Sequence, residues 1–171
     1  MRQLRFYTLL CHGLTAGLFS CLNPHRVRMA DTDPDGWSPS DATTVAYENT
    51  DTLSARDIGV VVRLCNDFNY DKLALSLVTV TPDGYRWCDT LYIDTYGRLP
   101  KVGLYGELEQ PYRRGVVFMQ TGRYLFSLAP VMPASPTEGV AAVGIRLEAA
   151  AAPRRSEPLP AETADSSRLT R

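Results

Sequence analysis

Between residues 43 and 148 the chain repeats one pattern, in which apolar side chains occupy every second position of short segments. Such alternation is typical of β-strands, because successive side chains of a strand point to opposite faces of the sheet. The two clearest faces consist of Ile58, Val60, Val62 and Leu64 in residues 57–65, and of Leu73, Leu75 and Leu77 in residues 72–80. Outside residues 6–19 no stretch sustains a helical period, so we predict an all-β fold.

Turn residues separate the alternating segments and set the expected architecture. Pro82, Asp83 and Gly84 form a tight-turn sequence, since proline presets φ and glycine accepts a positive φ. Residues 72–80 and 85–93 are therefore predicted to pair as a hairpin. The other strand candidates are residues 43–48, 104–108, 115–120, 123–130 and 140–148. Short strands at this spacing favour one antiparallel β-sandwich, jelly-roll-like, over residues 42–148.

The first 21 residues have the features of a bacterial lipoprotein signal. Two arginines precede an apolar run, residues 6–19, which is shorter than the roughly 20 residues that a membrane-spanning helix needs. The sequence Leu18-Phe19-Ser20-Cys21 then resembles a lipobox, in which the cysteine sulfur carries diacylglycerol. We predict a signal peptide at residues 1–20 and a lipid anchor on Cys21, with a further acyl chain such as palmitate on its amine. An ordinary secretory signal and a buried apolar helix are the alternatives.

Two segments flank the predicted sandwich. Residues 21–41 contain prolines, aspartates and serines without a periodic apolar pattern, so we expect the lipidated cysteine to be followed by a tether. Residues 149–171 consist mainly of alanine, proline, serine and charged residues. Such a composition buries too little apolar surface to offset the entropy of ordering, so we expect a disordered tail.

Charge and histidine content disfavour several classes of function. The chain has 18 basic and 19 acidic residues, so it lacks the positive excess that nucleic-acid binding requires. His12 lies in the predicted signal peptide and His25 in the predicted tether, which disfavours a histidine-based hydrolase or zinc site. We therefore expect a non-enzymatic protein with no catalytic residue, metal, cofactor or small-molecule substrate.

Four residues of the predicted sandwich are candidate site residues. Cys65 and Cys88 lie on separate predicted strands in an oxidising compartment, where they either form a disulfide or fill the core as two buried thiols. Tyr85 and Trp87 share one face of a strand. Aromatic side chains of this kind stack on sugar rings or on a partner protein when exposed, and otherwise pack in the core or at a strand edge.

An ordered series of features follows the lipobox. It comprises Trp37, Tyr47, Val60-Val61-Val62-Arg63, Asn69-Tyr70, Pro82-Asp83-Gly84, Asp89, Gly97, Gly103, Phe118, Gly122-Arg123-Tyr124, Met132, Gly139 and Val143-Gly144-Ile145. Over about two thirds of the chain this series resembles the GldH gliding-motility lipoprotein family of Bacteroidetes. The order and spacing carry the resemblance, since no single motif is specific. The chain departs from the family at Pro133, where we expect an arginine.

The resemblance implies a lipid-anchored β-sandwich protein of the cell envelope, without a catalytic activity. It implies an accessory role in gliding motility or in the linked type IX secretion machinery, with envelope proteins of that machinery as partners. Leu22 after the lipidated cysteine gives no inner-membrane retention signal, and no acidic run follows it, so we expect the outer membrane with the protein facing the periplasm. The alternative function is a surface lipoprotein that binds glycan or protein.

Overall fold

The structure is a computed structural model, and it describes residues 26–98 and 104–151. In these residues the chain forms eight strands and no helix. The strands are β1 Arg26–Asp31, β2 Thr43–Asn49, β3 Ala55–Cys65, β4 Lys72–Val80, β5 Arg86–Asp94, β6 Tyr105–Val117, β7 Gly122–Pro130 and β8 Val140–Ala149. The predicted all-β class is confirmed.

The strands of the described residues form two four-stranded antiparallel sheets that pack as a sandwich. One sheet has the order β1-β8-β3-β6, and the other has the order β2-β7-β4-β5. At one side of the sandwich β1 contacts β2, and at the other side β5 contacts β6. The predicted antiparallel β-sandwich is therefore confirmed, and its four edge strands meet in two pairs.

The inner faces of the central strands supply the core. The alternating apolar residues that predicted β3 and β4 are buried together in one cluster: Ile58, Val60, Val62, Leu64, Leu73, Leu75 and Leu77. Burial of one such aliphatic side chain contributes roughly 1.5–3 kcal/mol to the free energy of unfolding. The alternation that predicts the strands is thus also the main source of their stability.

The hairpin between β4 and β5 forms as predicted. Val80 lies opposite Arg86 in the register, and Gly84 has a φ of +87°. The backbone N–H of Thr81 donates to the carbonyl oxygen of Tyr85 at 2.9 Å. A side chain with a Cβ rarely adopts such a φ, so glycine allows this short connection.

Residues 26–41, which we expected to be a tether, belong to the sandwich instead. β1 pairs along its whole length with β8. Gly144 of β8 permits this close approach, because a Cβ there would lie 2.2 Å from the carbonyl oxygen of Arg28. The sequence expectation is wrong here for a physical reason. β1 is short and lacks clear alternation, and the glycine that admits it lies more than a hundred residues away in the chain.

Trp37 fixes the loop between β1 and β2 to the core. Its side chain is 2% exposed and belongs to the central apolar cluster. The indole Nε1 donates to the carbonyl oxygen of Asp41 at 2.8 Å, and the backbone exchanges two hydrogen bonds of 2.9 Å with Thr137. This loop is therefore a folded part of the domain.

β6 is one unbroken strand, where the sequence predicted two strands at residues 104–108 and 115–120. Pro111 lies inside it, and an edge strand tolerates proline because one side of its backbone has no strand partner. Gly115 has a φ of +63°, and the pairing with β3 shifts register near Ile58. These irregularities interrupt the alternation in the sequence without ending the strand.

The predicted boundaries differ from the structure at both ends. β8 extends through Ala149, one residue into the predicted tail. The predicted signal peptide, Cys21 and residues 152–171 lie outside the described residues.

The register of the strands defines two ends of the sandwich. The Arg26 end comprises the start of β1, the end of β8 and the connections at residues 50–54, 81–85 and 118–121. The Cys65 end comprises the connections at residues 32–42, 66–71 and 131–139, together with residues 95–98, which follow β5. The chain therefore enters the sandwich at the Arg26 end.

Replacing Trp37 by alanine is expected to lower the free energy of unfolding by about 3–5 kcal/mol, because it opens a cavity in the core. Pro39→Ala, at an exposed position of the same loop, is the control and is expected to change it by less than about 0.5 kcal/mol. Urea unfolding of the two variants measures both values. A loss below about 1 kcal/mol for Trp37→Ala would contradict the integration of this loop into the domain.

Candidate functional site

The side of the sandwich where β5 meets β6 carries a cluster of polar and aromatic side chains. Alternation along β5 turns Trp87 and Asp89 toward β6, and β6 contributes Tyr112 and Arg113. We call these four residues the edge cluster. They come from the edge strands of opposite sheets, so their contacts join the two sheets where no backbone hydrogen bond does.

Asp89 is the acceptor at the centre of the edge cluster. Its Oδ2 accepts a hydrogen bond from the Tyr112 hydroxyl and another from Nη2 of Arg113 at 2.8 Å. The indole Nε1 of Trp87 donates to the Tyr112 hydroxyl oxygen at 3.4 Å. The guanidinium of Arg113 also lies 5.1 Å from the centroid of the Tyr112 ring, within reach of a cation–π interaction.

These hydrogen bonds shift the pKa values of the edge cluster. The Tyr112 hydroxyl and then the Arg113 guanidinium hold the pKa of Asp89 below its ordinary value of 3.8. Burial, followed by the neighbouring Asp89 carboxylate, raises the pKa of Tyr112 above 10.0. Asp89 is therefore charged and Tyr112 neutral at neutral pH, the states that suit this hydrogen bond.

A groove of about 210 Å³ opens beside the edge cluster. Its lining is mainly apolar and includes Trp87, Tyr112, Val116, Phe118 and Met119. Tyr85 is exposed at the hairpin turn, with its ring centroid 6.0 Å from that of half-buried Trp87 and the ring planes 38° apart. The structure thus brings the predicted pair Tyr85 and Trp87 together next to a groove, with one side chain exposed and the other partly packed.

A second, larger cleft of about 630 Å³ lies on the outer face of the β3–β6–β8 sheet. Nη1 of Arg146 makes ion pairs there with Glu109 at 3.0 Å and with Glu148 at 3.4 Å. Asp57 accepts a hydrogen bond from the backbone N–H of Gly115 at 2.8 Å. The acidic side chains of this cleft are therefore engaged by neighbouring donors, which disfavours their use as a general acid or base.

The structure does not bring the predicted cysteine pair together. Cys65 ends β3 in one sheet, Cys88 lies on β5 in the other, and both are free thiols. Cys88 is exposed with its Sγ 3.4 Å from Oγ of Ser76, and burial raises the pKa of the half-buried Cys65 thiol. Neither position fits the alternative of two thiols that fill the core.

Sequence reasoning identified Trp87 but missed the other members of the edge cluster as site residues. Tyr112 and Arg113 fell between two predicted strands, so no pattern placed them on a face. A continuous β6 would have put Tyr112 opposite β5, but Pro111 and Gly115 concealed that continuity.

Residues 26–98 and 104–151 offer neither a metal centre nor a membrane-spanning helix. In this part of the chain no group of three or more His, Cys, Asp or Glu side chains converges as a metal site. Nor does it contain a helix long and apolar enough to cross a bilayer.

Replacing Asp89 by asparagine is expected to lower the free energy of unfolding at pH 7 by about 1 kcal/mol, because partly exposed charged hydrogen bonds contribute modestly. The carboxylate's pKa is lowered on folding, so its stabilising effect is present above pH 3.8 and is lost as the pH falls below that value. Urea unfolding across the acidic range tests this. Asp94→Asn, on the exposed face of the same strand, is the control, and equal losses for both variants would contradict the role of the edge cluster.

Comparison with known proteins identifies the family of this chain. No curated protein matches the sequence. Among solved structures, the coat protein of Tobacco streak virus is similar with 10% sequence identity and a TM-score of 0.25, over 82% of this chain and 98% of the coat protein. That likeness is too weak to carry an argument.

The match to a protein family, in contrast, covers most of the chain. Residues 26–147 match the GldH lipoprotein family, which is not a known enzyme family. The match begins with β1 and ends inside β8, so it spans both sheets of the sandwich. The chain therefore belongs to the GldH lipoprotein family, whose members are membrane-anchored envelope proteins related to gliding motility.

Proposed function

We propose that this protein is a lipid-anchored accessory component of the gliding or type IX secretion machinery, held at the outer membrane and facing the periplasm. Its family membership is the observation that carries this proposal. The lipobox that ends at Cys21 supports the anchor, because an acylated cysteine with several chains holds a protein stably on a membrane.

The side-chain chemistry supports a role in recruiting proteins rather than in catalysis. Asp89, Glu107 and Glu109 each make an ion pair with an arginine, and the pairs hold these carboxylates in place on the sandwich surface. A general acid or base needs a carboxylate that is free to exchange a proton near neutral pH. The proposed activity is therefore binding, with envelope proteins of the machinery as the partners.

Replacing Cys21 by serine is expected to remove the protein from the outer membrane, because serine offers no thiol for the diacylglycerol thioether. Membrane fractionation of cells that express the full chain measures the change. Protease added to intact cells is expected to leave the wild-type protein uncut, since the proposed orientation faces the periplasm. Crosslinking in intact cells is then expected to capture components of the gliding or secretion machinery.

Cys88→Ser is the matched control for this experiment, because Cys88 is an exposed thiol on the sandwich itself. It is expected to leave fractionation, protease protection and crosslinks unchanged. An outer-membrane location that persists in Cys21→Ser would contradict the anchor. Cutting of the wild-type protein on intact cells would contradict the periplasmic orientation.

A surface glycan- or protein-binding lipoprotein is the second candidate. The exposed ring of Tyr85 beside the groove at Trp87 favours it, because aromatic rings at the rim of a groove bind sugar rings and partner side chains. The 38° between the two ring planes is a poorer platform for a flat sugar ring than parallel rings would be.

Under this second candidate, Tyr85→Ala is expected to weaken retention of the purified lipoprotein on immobilised cell-surface polysaccharide by about tenfold, as expected for loss of one stacking contact of about 1.4 kcal/mol. Tyr92→Ala is a close control, since Tyr92 is as exposed as Tyr85 but lies on the outer face of β5. Equal retention of the two variants would contradict glycan binding at Tyr85.

A further inference from the structure

The Arg26 end of the sandwich presents one protruding apolar side chain from each of its three connections. Leu53 in residues 50–54 is 88% exposed, Met119 in residues 118–121 is 78% exposed, and Tyr85 in residues 81–85 is 66% exposed. Large apolar side chains grouped at one end of a domain mark an interaction surface more often than isolated ones do.

Hydrogen bonds join the three connections into one surface. Nε2 of Gln120 donates to Oδ2 of Asp83 at 2.9 Å, which ties residues 118–121 to residues 81–85. Nδ2 of Asn49, just before residues 50–54, donates to the carbonyl oxygen of Gln120 at 2.8 Å. The three apolar side chains are therefore displayed from linked loops and not from independent ones.

Local hydrogen bonds also fix the shape of the connection that carries Leu53. Oδ1 of Asp51 accepts from the backbone N–H of Leu53 at 2.9 Å and of Ser54 at 3.0 Å, and Oδ2 accepts from Arg56 at 3.3 Å. Asp51 thereby satisfies the backbone of the loop, while the Leu53 side chain stays outside. The exposure of Leu53 is thus built into the loop.

The distance from the lipid anchor decides what this end faces. Arg26, where β1 begins, follows Cys21 by five residues, which span at most about 17 Å when fully extended. The longer strands of the sandwich, such as the 11 residues of β3, extend over about 36 Å. An anchor on Cys21 therefore keeps the Arg26 end next to the lipid and leaves the Cys65 end a strand length away.

We propose that the Arg26 end rests on the phospholipid surface, with Leu53, Tyr85 and Met119 in the interfacial layer. The inference rests on the proposed function, because it needs the acylated Cys21. Transfer of apolar side chains from water into this layer is favourable. Tyrosine suits the layer because its ring is apolar and its hydroxyl is polar. Arg86, next to Tyr85, is exposed at the same end, where it complements anionic headgroups.

This arrangement assigns Tyr85 to lipid instead of sugar. It also separates the apolar surface at the Arg26 end from the exposed Leu104 and Val131 at the Cys65 end, which are 78% and 51% exposed. Those two side chains lie beyond the reach of the anchor. They provide matched controls of similar chemistry.

The experiment uses the full lipoprotein, processed in cells and reconstituted into vesicles of phosphatidylethanolamine and phosphatidylglycerol. In a Cys65→Ser, Cys88→Ser background, Thr121→Cys at the Arg26 end or Ala134→Cys at the Cys65 end carries an environment-sensitive fluorophore. Both positions are exposed, and neither replaces a proposed contact. Doxyl-labelled lipids are expected to quench emission from position 121 strongly and to leave emission from position 134 unchanged.

A pair of double variants then tests the side chains. Leu53→Ser with Met119→Ser is expected to abolish most of the quenching at position 121. Leu104→Ser with Val131→Ser is expected to leave that quenching unchanged. All four positions are exposed, so thermal unfolding is expected to show the wild-type midpoint for both variants.

The outcomes separate this inference from the proposed function. If mass spectrometry detects no acyl group on Cys21 and a carbonate wash releases the protein from the vesicles, the anchor is overturned. The membrane contact is then overturned as well. Stable anchoring with equal, weak quenching at positions 121 and 134 would overturn the membrane contact alone. The double variant Leu53→Ser with Met119→Ser could instead lose its crosslinks to an envelope protein while the quenching stays unchanged. That result would overturn the membrane contact and identify the Arg26 end as a protein interface.

Discussion

The apolar contact between the inner faces of β3 and β8 and those of β4 and β7 is the interaction on which the rest of the structure depends. These four strands occupy the centres of the two sheets, and their inward side chains are nearly all buried in one cluster. The connections at both ends, the edge cluster and the docking of Trp37 are positioned by this core. Loss of a single core leucine therefore lowers the stability of the domain that presents all of these features.

The edge cluster and the groove beside it lie where the edges of the two sheets meet. A sandwich leaves unpaired strands at its sides, and natural proteins protect such edges with charge, irregular backbone or cover. Here β6 carries Pro111, Gly115 and paired charges, and Asp89 of β5 holds Tyr112 and Arg113 across the gap between the sheets. An apolar groove lies beside this protected edge.

The sequence predicts those parts of this fold in which local pattern and tertiary packing agree. β3 and β4 alternate because one face of each is buried, and the turn at Gly84 needs the φ that only glycine readily adopts. β1 could not be predicted in this way, since its place depends on the absent side chain of Gly144 in a distant strand. The edge cluster was missed because Asp89 and Tyr112 meet across two sheets, and no spacing in a sequence reports a contact of that kind.

The pairing of β1 with β8 has a consequence for the order in which the protein is made. β1 is the first strand of the chain and β8 the last, and they are adjacent in the sheet. β8 also separates β1 from β3, so β1 has no neighbour in its own sheet until the last strand arrives. During synthesis β1 is made first and has no strand partner in its own sheet while more than a hundred residues follow. The sheet that contains β1 is therefore completed only after the whole length of the domain has been made.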